Sequence, residues 1–266
     1  MAADDLIDGM SPEAQAAYRR ALQALGEAGA PFLIGGAYAF AEVTGIERHT
    51  KDLDLFVRER DLRGVLAVLE GAGFSCEVAF SHWLAKAWHG DHFLDLIFTS
   101  GNAVAPVDDG WFAHACPRAL LGVPVLLCAP EELIWSKAFV QERERYDGAD
   151  VAHLIRCAGP RLDWRRLLGR FGPNWRVLLS HLVLFGFVYP GERDTVPAWV
   201  MAELARRLAE ETATRPADER LCRGTLLSRE QYLVDVERWG YADARLRPEG
   251  RMTEDEIARW TAAIEE

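Results

Sequence analysis

Three aspartates and two adjacent glycines are the residues of this chain whose types and spacing could do chemistry. Asp52 and Asp54 alternate with Leu53, Leu55 and Val57 in D-L-D-L-F-V, so an extended strand would present both carboxylates on one face. Such a pair supplies the hard oxygen ligands that Mg2+ takes when it also holds phosphates. Asp95 stands in H-F-L-D-L-I-F, among Phe93, Leu94, Leu96, Ile97 and Phe98. A carboxylate inside an apolar strand is costly to bury alone, so a metal or a paired arginine is expected beside it. Gly35 and Gly36 follow the apolar run Phe32-Leu33-Ile34 and precede a helical stretch. There, backbone N–H groups can approach an anion at the positive end of a helix.

Each of these features also has a plainer reading. D-x-D pairs occur on solvated strand faces, and a glycine doublet can serve only as a tight turn. Asp91, next to Gly90, is better explained as turn chemistry. Lys137 follows Leu133 and Ile134 on the edge of an apolar helical face. It fits either a stem shielding a core margin or a contact to a triphosphate. Asp147 and Asp150 are most simply helix-start caps, and the seven histidines have no metal-ligand spacing.

The elements that must position these residues follow from periodicity and capping. Ser11-Pro12-Glu13 opens a helix that should run to about residue 27. A short strand over 32–34, a helix over 37–43 and a strand over 53–57 follow. Apolar Leu62, Val65, Leu66 and Leu69 predict an amphipathic helix over 59–69. Residues 74–80, 82–88, the stretch around Asp95 and 123–128 read as strands, and 101–110 as a loop. From Ala129-Pro130-Glu131 onward the pattern is helical, over 130–140, 150–157, 164–171, 175–187 and 197–211. Ser228-x-x-Gln231 and Thr253-x-x-Glu256 are capping boxes for two more helices. The expected architecture is an α/β (α+β) domain with a mixed sheet over 1–128, then a mainly helical domain over 129–266 closing the cleft.

Composition narrows the classes. The 266 residues carry a formal charge of −11, which disfavours broad non-specific binding to nucleic acid. The longest apolar run, 177–189, is too short to span a bilayer. The acidic N-terminus lacks a signal-peptide layout. Five scattered cysteines without C-x-x-C spacing argue for a reducing compartment and against a zinc site. The expected location is the cytoplasm.

Gly35-Gly36, then Arg48-x-Thr50-x-Asp52-x-Asp54, then a strand carboxylate at Asp95 resembles the nucleotidyltransferase superfamily that includes DNA polymerase β. The likeness covers the first half of the chain, with a fainter echo over 130–155. It departs from the commonest family form, in which serine follows the first glycine. The resemblance implies Mg2+-dependent transfer of a nucleoside monophosphate from an NTP such as ATP to a hydroxyl, releasing pyrophosphate. Asp52, Asp54 and Asp95 would be catalytic and hold two Mg2+ ions. Gly35, Gly36, Arg48, Thr50 and Lys137 would bind nucleotide. The acceptor would be a small molecule, a protein side chain or an RNA end. A tRNA end is disfavoured, because Ala37-Tyr38-Ala39 stands where that branch has an arginine–aspartate pair. The alternative is a binding module of the same fold without turnover, such as a toxin–antitoxin component.

Overall fold

The computed structural model of this chain describes residues 10–48, 50, 52–216 and 219–263. These fall into two compact units, one running through Ala129 together with Glu254–Trp260, the other built on Pro130–Thr253.

In the first unit, α1 (Pro12–Glu27) starts where expected, with the Ser11 hydroxyl accepting from the Ala14 N–H at 3.1 Å. Strand β1 (Leu33–Ile34) runs into α2 (Gly36–Thr44), which ends at Gly45 in the left-handed region. Then come β2 (Asp52–Phe56), α3 (Glu59–Gly71) and three strands, β3 (Ser75–Phe80), β4 (Leu84–His89) and β5 (His92–Ile97). A short helix α4 (Asp109–Ala113) and the hairpin of β6 (Cys116–Leu120) and β7 (Val123–Leu127) complete the sheet.

The sheet is mixed, seven strands in the order β3-β4-β5-β2-β1-β7-β6. Strand β2 is parallel to β5 and antiparallel to β1, while β4 is antiparallel to β5. One face packs under α1 and α3. Tyr18, Leu22 and Leu25 from α1 and Val65 and Leu69 from α3 bury Leu53, Leu55, Leu94, Leu96, Ala85 and Ala87. Because side chains alternate along a strand, residues 52, 54, 95 and 86 are turned to the opposite face. The core fixes which face carries the carboxylates, since a one-residue slip would bury them under α1.

Strand β6 was not expected. Its sequence C-P-R-A-L lacks alternation, and the turn that sets it up, Leu121-Gly122, has positive φ at both residues (52° and 77°). Leucine is not a residue that signals such a turn. The second difference lies at the C-terminus. Residues 254–260, in the last helix, pack on the first unit rather than with the helices that precede them. Trp260 meets the His82 ring edge-on at 5.7 Å, and Ser81 donates to Glu256 at 3.0 Å.

The second unit is mainly helical, with one short parallel strand pair of Leu221–Cys222 and Ala242–Asp243: α5 (Pro130–Lys137), α6 (Gly148–Ala158), α7 (Trp164–Phe171), α8 (Trp175–Val188), α9 (Ala198–Ala213) and a short α10 (Leu233–Glu237). The last helix, α11, spans Glu254–Ala262. Helix α5 stops at Lys137, short of the expected 140. Ser228 accepts from the Gln231 N–H at 3.2 Å but caps a turn, and α10 begins only at Leu233. Among the described residues no helix is long and apolar enough to cross a membrane.

Candidate metal and nucleotide site

Strands β2 and β5 are neighbours in register, Asp54 opposite Asp95 and Asp52 opposite Phe93. The three carboxylates therefore converge, each half-buried, with oxygens within 4.8 Å of one another. That donor set is all oxygen and all anionic. It suits a hard divalent cation such as Mg2+ and is unlike the Cys and His sets of structural zinc. Thr50 is tied into the group, its hydroxyl donating to Asp52 Oδ1 at 2.6 Å.

Crowding like charges on a shielded surface has a cost. Burial raises the Asp95 pKa; the hydrogen bond and charge of Lys86 pull it back, and Asp52 pushes it up again. The field reaches the core face as well. The Tyr18 hydroxyl is pushed up to about 12, first by its burial and then by Asp52, Asp54 and Asp95.

The glycine doublet has a local explanation. Gly36 has φ +53°, and a Cβ there would lie 1.6 Å from Asp54 Oδ2. A Cβ on Gly35 would lie 2.1 Å from the Phe56 ring. Both clearances are filled by side chains of β2, and the Gly35 N–H donates to the Asp54 carbonyl at 3.0 Å. The first turn of α2 thus lies against the Asp54 carboxylate.

No protein-family model matches the chain, and no match among curated proteins is significant. Solved structures similar to it include the antibiotic-resistance factor ANT(2'')-Ia, at 21% identity and a TM-score of 0.44, over 65% of this chain and 98% of that one. The lincosamide antibiotic adenylyltransferase LnuA, solved with lincomycin bound, is similar at 16% and 0.36, over 50% of this chain and 90% of that one. An antigenic nucleotidyltransferase-like protein from Paracoccidioides brasiliensis is similar at 15% and 0.37, over 65% and 93%.

The remaining candidates are placed as follows. Arg48 is exposed, its guanidinium 4.7 Å from the Phe40 ring centroid. Lys137 lies in the second unit, donating to Asp147 at 3.1 Å and Asp150 at 2.8 Å. Asp147 also takes Arg145 in a two-pronged contact, both arms 3.1 Å. The expectation that both are helix-start caps does not hold: Asp147 stands at the N-cap of α6 without a capping hydrogen bond, Asp150 lies in the first turn, and both carboxylates are partners of Lys137.

One residue at the carboxylate face escaped the sequence. Lys86 on β4 lies directly opposite Asp95, its Nζ 2.8 Å from Asp95 Oδ1. The signal was present. Taking Gly90-Asp91 as a two-residue hairpin turn pairs His89 with His92, and counting outward brings Lys86 to Asp95.

Proposed function

We propose that this chain transfers a nucleoside monophosphate from an NTP to a hydroxyl acceptor with release of pyrophosphate, using Mg2+ held by Asp52, Asp54 and Asp95. The observation that supports it is the convergence of three carboxylates from adjacent strands, with oxygens within 4.8 Å. Two bound Mg2+ ions, as the family resemblance implies, would neutralise the phosphate charge and stabilise attacking and leaving oxygens. Asp52, oriented by Thr50, and Asp54 would fix the triphosphate through that charge. Asp95 would complete the metal site and help deprotonate the acceptor hydroxyl. The turn at Gly35 and Gly36, whose Gly35 N–H is already given to the Asp54 carbonyl, would let a phosphate approach closely, and Arg48 and Thr50 would supply further nucleotide contacts.

The acceptor is a small molecule, a protein side chain or an RNA end, and the charge of −11 speaks against tRNA. The test is transfer of label from each of four α-labelled NTPs, with Mg2+, into a cell extract and into a panel of small hydroxyl compounds that includes aminoglycosides and lincosamides. Labelled product that disappears in the Asp52→Asn, Asp54→Asn double variant is the expected result. No transfer from any NTP, with no Mg2+-dependent NTP thermal shift, would reduce the chain to a binding module.

A further inference from the structure

We propose that Lys86 is a resident counter-ion of the carboxylate site that competes with divalent metal for Asp95 and thereby sets the metal affinity. The inference rests on the metal reading above and goes on to the regulation of that site. Its basis is placement. Asp54, Asp95 and Lys86 form one rung across β2, β5 and β4, so the ammonium enters from the side of Asp95 away from Asp54. Its Nζ is 2.8 Å from Asp95 Oδ1, and both side chains are mostly shielded, at 23% and 14% exposure. At that depth the pair is screened less than a surface ion pair.

A divalent cation on the triad and an ammonium on one of its ligands repel each other. Metal binding must therefore either overcome Lys86 or turn Asp95 away from it. While it bonds Asp95, the ammonium already rests against two aromatic rings, contacts it can keep when the carboxylate turns away. Lys86 Nζ lies 4.3 Å from the Phe93 ring centroid and 5.8 Å from that of Trp88, and the two rings pack against each other at 4.5 Å. Aromatic faces hold a cation without neutralising it. Lys86 can then leave Asp95 to the metal and remain beside the site. It acts through Asp95 as a positioning residue.

The experiment is Mn2+ binding to the metal-free protein, followed by calorimetry and by the paramagnetic effect of the ion, in wild type, Lys86→Met, Lys86→Gln and Lys86→Arg. Removing one positive charge a few ångströms from a divalent ion should tighten binding about tenfold in the Met and Gln variants. The Arg variant should stay near wild type. A lysine that only braces Asp95 predicts the opposite sign, because its loss would loosen a ligand and weaken binding. Binding that is unchanged or weaker in both neutral variants overturns the proposal. Should neither neutral variant fold, the wild type carries the test. With 13C-labelled lysine, Mg2+ must shift the Lys86 resonance, assigned by its absence in Lys86→Arg, and an unmoved resonance overturns the inference. The Asp52→Asn, Asp54→Asn double variant separates the two levels. If wild type and this variant bind Mn2+ alike, the metal reading fails and the Lys86 inference falls with it. If only the Lys86 series is flat, the metal reading stands alone.

Discussion

Asp95 on the sheet and Asp147 in the helical unit are alike in burial and in partner, yet their acidities move in opposite directions. Their side chains are 14% and 10% exposed, and each takes a lysine ammonium, Lys86 at 2.8 Å and Lys137 at 3.1 Å. For Asp95, burial outweighs Lys86, Asp52 adds a like charge, and the pKa rises. For Asp147, burial also pushes upward, but Lys137 and the charge and hydrogen bond of Arg145 overcome it, and the pKa falls. The difference is therefore the company each carboxylate keeps rather than its depth. A cluster whose charges offset one another is costly to break, because removing one partner strands a buried charge, whereas one that collects like charges carries a cost that a bound cation can remove.

The sharpest way to break that contrast is to neutralise each cluster and compare what is lost. The Asp52→Asn, Asp54→Asn double variant should keep its folding stability and lose turnover by about 10³-fold or more, since several kcal/mol of charge stabilisation go with the metal. Its Mg2+-dependent NTP thermal shift should vanish as well. A double variant that unfolds more readily than wild type but still turns over would invert the assignment.

Lys137→Met should do the reverse. It leaves Asp147 and Asp150 shielded without their ammonium, at a cost of about 3 kcal/mol in urea unfolding. The NTP dissociation constant of the same variant decides whether Lys137 also touches the triphosphate. An affinity equal to wild type would leave Lys137 a structural cation only.

The smallest effect is in pH. An acid whose pKa is raised on folding adds stability below its unfolded value, about 3.9, and that stability is lost as pH rises through the folded value. Ionised Asp95 is thus a net cost to the metal-free protein at neutral pH. Metal-free Asp95→Asn should melt above wild type at pH 7, with the gap closing as pH falls toward about 4. Adding Mg2+ should narrow it too, by stabilising wild type. A variant that melts lower at every pH would mean the Lys86 pair outweighs burial.

Much of this was legible because it is local. Alternation placed Asp52, Asp54 and Asp95 on strands, Ser11 and Pro12 marked the start of α1, and α7 runs over the expected Trp164–Phe171. What escaped depends on pairing between segments. Lys86 looks like any strand lysine until register sets it against Asp95, and β6 exists because Val123–Leu127 offers it an edge. Trp260 gives no sign in T-E-D-E-I-A-R-W that it will pack against His82.

The clearance at Gly36 makes the order of evolutionary change asymmetric. A methyl group there would overlap Asp54 Oδ2 at 1.6 Å on a backbone of positive φ, so Gly36→Ala should cost on the order of 3 kcal/mol while Asp54 remains. With Asp54 first shortened to alanine, the collision is gone and only the backbone strain is left. The two substitutions are epistatic, with a combined cost below their sum. A lineage that abandons the carboxylate becomes freer to fill the glycine, whereas one that fills the glycine first disturbs both the fold and the carboxylate. Gly36 is in that sense a ratchet: once it is filled, a carboxylate at position 54 cannot return to its place without meeting the new methyl group.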